Sequence, residues 1–220
     1  MTKNILLVAE GETDVIIFQA IAKHLSNNEI TFIVIAPQKD STSGTYKQHG
    51  FGEVTNWCQA NKNKIQMLID FNGASALFVQ MDTDIAGQLN KVCIDAGRMQ
   101  RQCCEEALNN RFSLENEPEH CYYILPTENT ETWLLASHDH FTALDNSLGE
   151  IKDYELIIDT EQRLIDIGYP SRKKVGDKRK LNKKPARKYN SYAQQLVKNL
   201  SLARQRCDEL NRLCVLILSV

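Results

Sequence analysis

Two short apolar runs, each ending in carboxylates, constrain this chain more than any other feature. Ile5-Leu6-Leu7-Val8-Ala9 leads into Glu10-Gly11-Glu12-Thr13-Asp14, and far downstream Ala76-Leu77-Phe78-Val79, followed by Gln80 and Met81, leads into Asp82-Thr83-Asp84. An apolar run without alternation is what a strand buried on both faces needs, and such strands belong to parallel sheets covered by helices on each side. Open α/β sheets bind their ligands outside the carboxyl ends of the strands. Acids that follow two such strands are therefore expected at a ligand-binding rim.

The rest of the chain continues the alternation. A strand is expected over 5–9, then a helix from Thr13, with Thr13 as N-cap and Asp14 in the dipole-favoured first turn. Val15, Phe18, Ala22 and Leu25 recur there at helical spacing. A β-branched strand follows over 31–35, and 36–52, with Gly44, Gly50 and Gly52, reads as a long loop. One helix is expected over 54–69, a turn at Asn72-Gly73, a strand over 76–81, a helix over 98–112, a strand over 122–125 and a helix over 128–137. The alternation predicts an α/β fold with a four-stranded parallel sheet flanked by helices, strands one and three adjacent. Residues 1–137 would form that domain, and 138–220 a helical C-terminal extension with a basic arm over 172–188. In it, 150–167 reads as mixed or weakly helical, Tyr169-Pro170 as a break, the basic run as an exposed loop, and 191–213 as helix. Residues 214–220 fit either a closing strand or a buried helix end.

Composition narrows the function classes. No apolar stretch approaches the roughly 20 residues of a membrane span, and the amino-terminal residues lack a signal-like h-region, so a cytoplasmic protein without membrane contact is expected. Seven cysteines are scattered, with no C-x-x-C pair, and read as reduced, small apolar residues. The histidines are dispersed; His138-Asp139-His140 reads as a polar helix end. The net charge of −2 hides an asymmetry: residues 1–171 carry 12 Lys and Arg against 25 Asp and Glu, whereas 172–220 carry 14 against 3. Such asymmetry points to a polyanion partner.

The acids have a physical role to match. Glu10 and Asp14 flank a strand-to-helix turn that Gly11 is expected to tighten. Asp82 and Asp84, two residues apart, project the same way from an extended chain and repel each other unless something positive lies between them. Carboxylate oxygens suit a hard cation such as Mg²⁺ or Mn²⁺, and four acids are about what one or two ions need. The basic run holds Arg172, Lys173, Lys174, Lys178, Arg179, Lys180, Lys183, Lys184, Arg187 and Lys188, relieved only by Asp177. Its obvious use is to neutralise a phosphate backbone. Tyr189 and Tyr192 beside it read first as core, with base stacking the other use, and Trp133 and Leu134 read as core.

Taken together, an apolar strand ending in Glu10-Gly11-x-Thr13-Asp14 and a second ending in Asp82-x-Asp84 resemble the TOPRIM domain of topoisomerases, primases and OLD-family nucleases. The form is most like the OLD nucleases and their small stand-alone relatives in bacterial defence and mobile elements. The resemblance covers about residues 3–137. It implies a TOPRIM-like, Rossmann-like sheet and a Mg²⁺- or Mn²⁺-dependent nuclease acting on DNA, with RNA still open and anti-phage defence as a setting. Glu10 would be a metal ligand or general acid/base, Asp82 and Asp84 metal ligands, and Asp14 an additional ligand. A further acid would come from Pro126-Thr127-Glu128-Asn129-Thr130-Glu131, where Glu128 and Glu131 are candidates and Glu128 stands first. The residues themselves allow another reading: Thr127 as N-cap, with both glutamates in a first helical turn. Related nucleases use a lysine beyond the core on transition-state charge. Lys183 and Lys184 both fit its place in the chain, with Lys183 taken as the catalytic candidate and Lys184 left to the nucleic-acid arm. No Walker A sequence is present, so an ATPase would be a separate partner.

Two other classes compete. Asp82-Thr83-Asp84 also resembles the nucleophile motif of haloacid-dehalogenase-type phosphatases, with Asp82 attacking phosphorus. That motif normally opens the chain, and Ala86 stands where Thr or Val is usual. The second alternative is a non-catalytic nucleic-acid-binding subunit of a larger complex. Oligomeric state leaves no trace in the sequence.

Overall fold

The computed structural model describes residues 2–40, 42, 50–89, 98–113, 119–139, 153–175, 178–184 and 186–220. The chain runs β1 (Lys3–Val8), α1 (Glu12–Leu25), β2 (Ile30–Ala36), α2 (Phe51–Asn61), α3 (Ile65–Phe71), β3 (Ala74–Gln80), α4 (Ala86–Leu89), α5 (Arg98–Phe112), β4 (Cys121–Ile124) and α6 (Glu131–Ala136). A 3₁₀ turn (Tyr154–Leu156) and α7 (Thr160–Asp166) then precede a two-stranded antiparallel hairpin, β5 (Ser171–Val175) and β6 (Lys178–Leu181). Helices α8 (Ala186–Lys198), α9 (Leu200–Arg206) and α10 (Asp208–Ser219) close the chain.

The four β1–β4 strands form one all-parallel sheet in the order β2-β1-β3-β4. The unbroken apolar runs are its two inner strands: Ile5 to Val8 and Ala76 to Val79 are fully buried. The pleat sends Ile5 and Leu7 to one core and Leu6 and Val8 to the other. β2, equally apolar in sequence, is an edge, and of its seven residues only Phe32 is buried. One face is covered by α2, α3 and α5 through Val54, Cys58, Ile69 and Leu108. The other is covered by α1, α6 and the C-terminal helices, so Tyr189, Leu196, Leu213 and Ile217 share a core with Phe18 and Trp133. The described part of 138–220 thus packs onto the sheet with no separate core.

β4 is the opposite edge, and α10 blunts it. Leu125 N–H donates to Glu209 Oε1 at 2.8 Å, and Arg212 Nη1 donates to Tyr123 O at 2.8 Å. Arg101 ties the same corner together, donating to Leu125 O and Thr127 Oγ1 and pairing with Glu155 at 3.1 Å.

Several local expectations are corrected. The expected helix over 54–69 is two helices, α2 and α3, because the polar Asn61-Lys62-Asn63-Lys64 offers no apolar face to bury. α1 starts at Glu12 with Gly11 as N-cap, so Thr13 does not cap it. Gly11 has φ −156°, extended backbone open to any residue, so the turn does not demand glycine. α6 starts at Glu131 after Thr130, not at Glu128, which has φ 61°. Of the basic run, expected as a loop, 172–175 and 178–181 are strand in β5 and β6, 182–184 lie outside any helix or strand and 186–188 open α8, while residues 214–219 are the end of α10. Cys103 is disulfide-bonded, against the expectation of reduced cysteines throughout, whereas Cys58, Cys104, Cys121, Cys207 and Cys214 are free and buried. The expected loop at 41 and 43–49, and His140, lie outside the described residues. No helix among the described residues is long and apolar enough to cross a membrane.

Candidate active site

Because β1 and β3 are neighbours with Val8 level with Val79, the residues just beyond them meet at one rim. Glu10 N–H donates to Gln80 Oε1 (2.9 Å), Gln80 Nε2 donates to Asp82 Oδ1 (2.9 Å), and Asp82 N–H donates to Glu10 Oε1 (2.8 Å). This closed ring joins the two acidic motifs. Its third member, Gln80, is fully buried. The signal for it was present, as the one polar residue interrupting the β3 run.

The Asp82-Thr83-Asp84 segment is pinned to the segment after β4. Thr83 and Asp84 N–H both donate to Glu128 O (3.0 Å), Glu128 N–H donates to Thr83 Oγ1 (2.9 Å), and Thr83 Oγ1 donates to Pro126 O (3.0 Å). Glu128 thus positions Asp84 through its backbone. Its side chain lines an open cleft of about 310 Å³ together with Asp84, Asn129, Thr160, Glu161 and Lys180.

Three residues on, Glu131 is the acid that goes inward. It is fully buried in the first turn of α6. Glu131 Oε1 accepts from Lys183 Nζ at 2.6 Å and from the Tyr189 hydroxyl, while Glu131 Oε2 is buried without a hydrogen-bond partner among the described residues. Asp14, also buried, accepts from Thr130 Oγ1 at 2.7 Å, so α1 and α6 present their acids side by side. Lys183 reaches Glu161 as well, at 3.3 Å. Glu161 had no functional signal in the sequence, and Tyr189 had only core packing or base stacking as its readings; the packing of α7 and α8 brings both here.

The electrostatics follow from crowding. Burial, then the Asp14 carboxylate, push the Glu10 carboxyl up to about 8, against the Asp82 N–H bond and Lys183. Burial and Glu131 raise Asp14 to about 6, with Lys183 and the Thr130 hydroxyl opposing. Burial, Asp14, Glu10 and Glu131 hold Asp82 well above the usual carboxylate range. Asp84 is exposed at the rim, and partial loss of water still raises it, countered chiefly by Lys183. Burial alone would lower the Lys183 ammonium, but Glu131 and Glu161 outweigh it and raise it. Each acid is thus destabilised as an anion by loss of water, and one lysine acts on all four.

Of the sequence candidates, Glu10, Asp14, Asp82, Asp84 and Lys183 come together, Glu131 joins them, and Glu128 lines the cleft beside Asp84. Lys184 is exposed, and its backbone N–H donates to Asn182 Oδ1 at 3.1 Å. Arg172 and Lys180 are exposed and face each other across the hairpin, and Lys188 is exposed on α8. The side chains of Lys173, Lys174, Lys178, Arg179 and Arg187 lie outside the described residues. Among the described residues, no group of three or more His, Cys, Asp or Glu side chains is disposed to hold a metal ion. Glu10 Oε1 and Asp82 Oδ1 are engaged in the ring with Gln80, and Glu131 is engaged by Lys183 and Tyr189. No family model, curated protein or solved structure matches this chain.

Proposed function

We propose that the chain is a Mg²⁺- or Mn²⁺-dependent nuclease of TOPRIM type that hydrolyses phosphodiester bonds, with DNA as the expected substrate. The observation that carries this reading is the direct contact of Glu10 with Asp82, from distant stretches of chain, at a rim shared with Asp14 and Asp84. An all-carboxylate set of oxygen donors is the chemistry that hard divalent cations take. Glu10, Asp14, Asp82 and Asp84 would hold the ion, in exchange for hydrogen bonds they now make. Such an ion supplies charge neutralisation on phosphate and a more acidic bound water.

The chain's own residues divide the remaining work. Glu10 is the one of the four that could instead stay off the ion and take up and release a proton, its carboxyl being raised by burial and by Asp14. Gln80 orients Glu10 and Asp82 against each other, and Lys183 carries positive charge to the same rim. The hairpin serves the phosphate backbone. Arg172 and Lys180 are direct cross-strand partners, and like charges so placed destabilise a hairpin unless an anion lies over them.

The test is cleavage of plasmid and single-stranded DNA, and of RNA, with Mg²⁺, Mn²⁺ or EDTA, comparing wild type with Asp82→Ala. Metal-dependent cleavage lost in the variant is the expected result. Binding without cleavage by either protein would instead make the chain a non-catalytic subunit.

A further inference from the structure

We propose that Lys183 is the built-in counter-ion of the acid cluster, and that a divalent cation binding there competes with its ammonium. The inference rests on the reading of the rim as a metal site. It starts from the arrangement of the acids, which are crowded but not disposed around a common ion. A cation is already among them. Lys183 Nζ lies 2.6 Å from Glu131 and 3.3 Å from Glu161, and Glu131 directly follows Thr130, whose hydroxyl donates to Asp14 at 2.7 Å.

The lysine is held for this role from both ends. On the backbone side it lies two residues beyond β6, whose last residue, Leu181, is buried and donates its N–H to Glu161 Oε2 at 3.2 Å. On the side-chain side its principal partner, Glu131, is fixed in α6 and braced by the buried Tyr189 hydroxyl. Glu131 Oε2, buried and without a partner among the described residues, leaves the cluster with acceptor capacity that one ammonium does not satisfy. A charge placed near the same carboxylates is repelled by the ammonium. By linkage, the ion then weakens the ammonium's hold by the same factor that the ammonium weakens the ion's.

The test measures binding rather than cleavage. Mg²⁺ is titrated calorimetrically at pH 8.5 into wild type, Lys183→Met, Lys183→Arg and the exposed control Lys198→Met. Removing the ammonium should tighten Mg²⁺ about tenfold, within the usual range of site–site coupling, while the Arg variant and the control stay close to wild type. In wild type itself, where folding is not in question, Mg²⁺ should raise reductive methylation of Lys183, read by mass spectrometry, several-fold. Equal or weaker Mg²⁺ binding by a folded Lys183→Met, unchanged methylation of Lys183, or no Mg²⁺ binding by any of these proteins overturns the proposal. Tighter binding by Lys183→Met with no cleavage of any nucleic acid would leave it standing and overturn the nuclease reading instead.

Discussion

Glu10 and Asp82 are held in place by a sheet, whereas Lys183 is held by another side chain. The two acids sit just beyond paired inner strands, where register alone brings them together, and a single buried glutamine locks them. The lysine lies two residues past a small hairpin rich in charged residues, and its position depends on Glu131, Glu161 and the helices that carry them. Strand ends place chemistry reliably because backbone hydrogen bonds fix them. A long side chain from a basic segment is placed only if a partner with the right burial captures it.

That contrast can be attacked directly. The largest effect is expected at the sheet-held pair, where Asp82→Ala should lower metal-dependent cleavage by roughly 10²-fold or more, a size typical of losing one key electrostatic group. Next, Glu131→Ala removes the acid that captures Lys183 and Tyr189. Urea unfolding should show a loss of about 1–3 kcal/mol, as for leaving the buried Tyr189 hydroxyl without its acceptor. Glu128→Asn, which keeps a residue suited to the left-handed backbone there, should change stability by less than about 1 kcal/mol. Equal losses at the two positions would erase the distinction between them. Replacing Lys178, Arg179 and Lys180 together by Ala should weaken DNA binding and lower the log–log salt slope by about 2–3. An unchanged slope would remove the hairpin from the phosphate contact.

The smallest effect concerns pH. Glu10 ionises near 4.5 when unfolded and at about 8 when folded, so between these values the folded chain holds the extra proton. Unfolding free energy should therefore fall as pH rises through that window. Glu10→Gln should flatten this part of the curve, measured by chemical denaturation, and Mg²⁺ should oppose the fall in wild type. A wild-type curve that rises through the window would contradict the crowding of the acids.

The sheet was legible because inner parallel strands must be apolar on both faces, and residues 5–8 and 76–79 are. β2 carries the same kind of residues yet lies at an edge; strand order is not written in a strand's own composition. The helix over 98–112 was readable to the residue, whereas α6 was not. Glu128 and Glu131 are equally acidic and equally suited to a first turn. Only the left-handed backbone of Glu128, locked by its hydrogen bonds with Thr83 and Asp84, sends one to the surface cleft and the other inside. Gln80 was visible as an interruption but not as a link, since its partners come from two segments.

Hydrophobic periodicity, a short-range property, determined by itself the α/β alternation and the delivery of acids to strand ends. Which acid is buried, which lysine reaches it, and that Ser171–Val175 pairs with Lys178–Leu181 were decided by tertiary structure. Burial and ion pairing depend on neighbours supplied by remote elements, here α6, α7 and α8 closing over one end of the sheet.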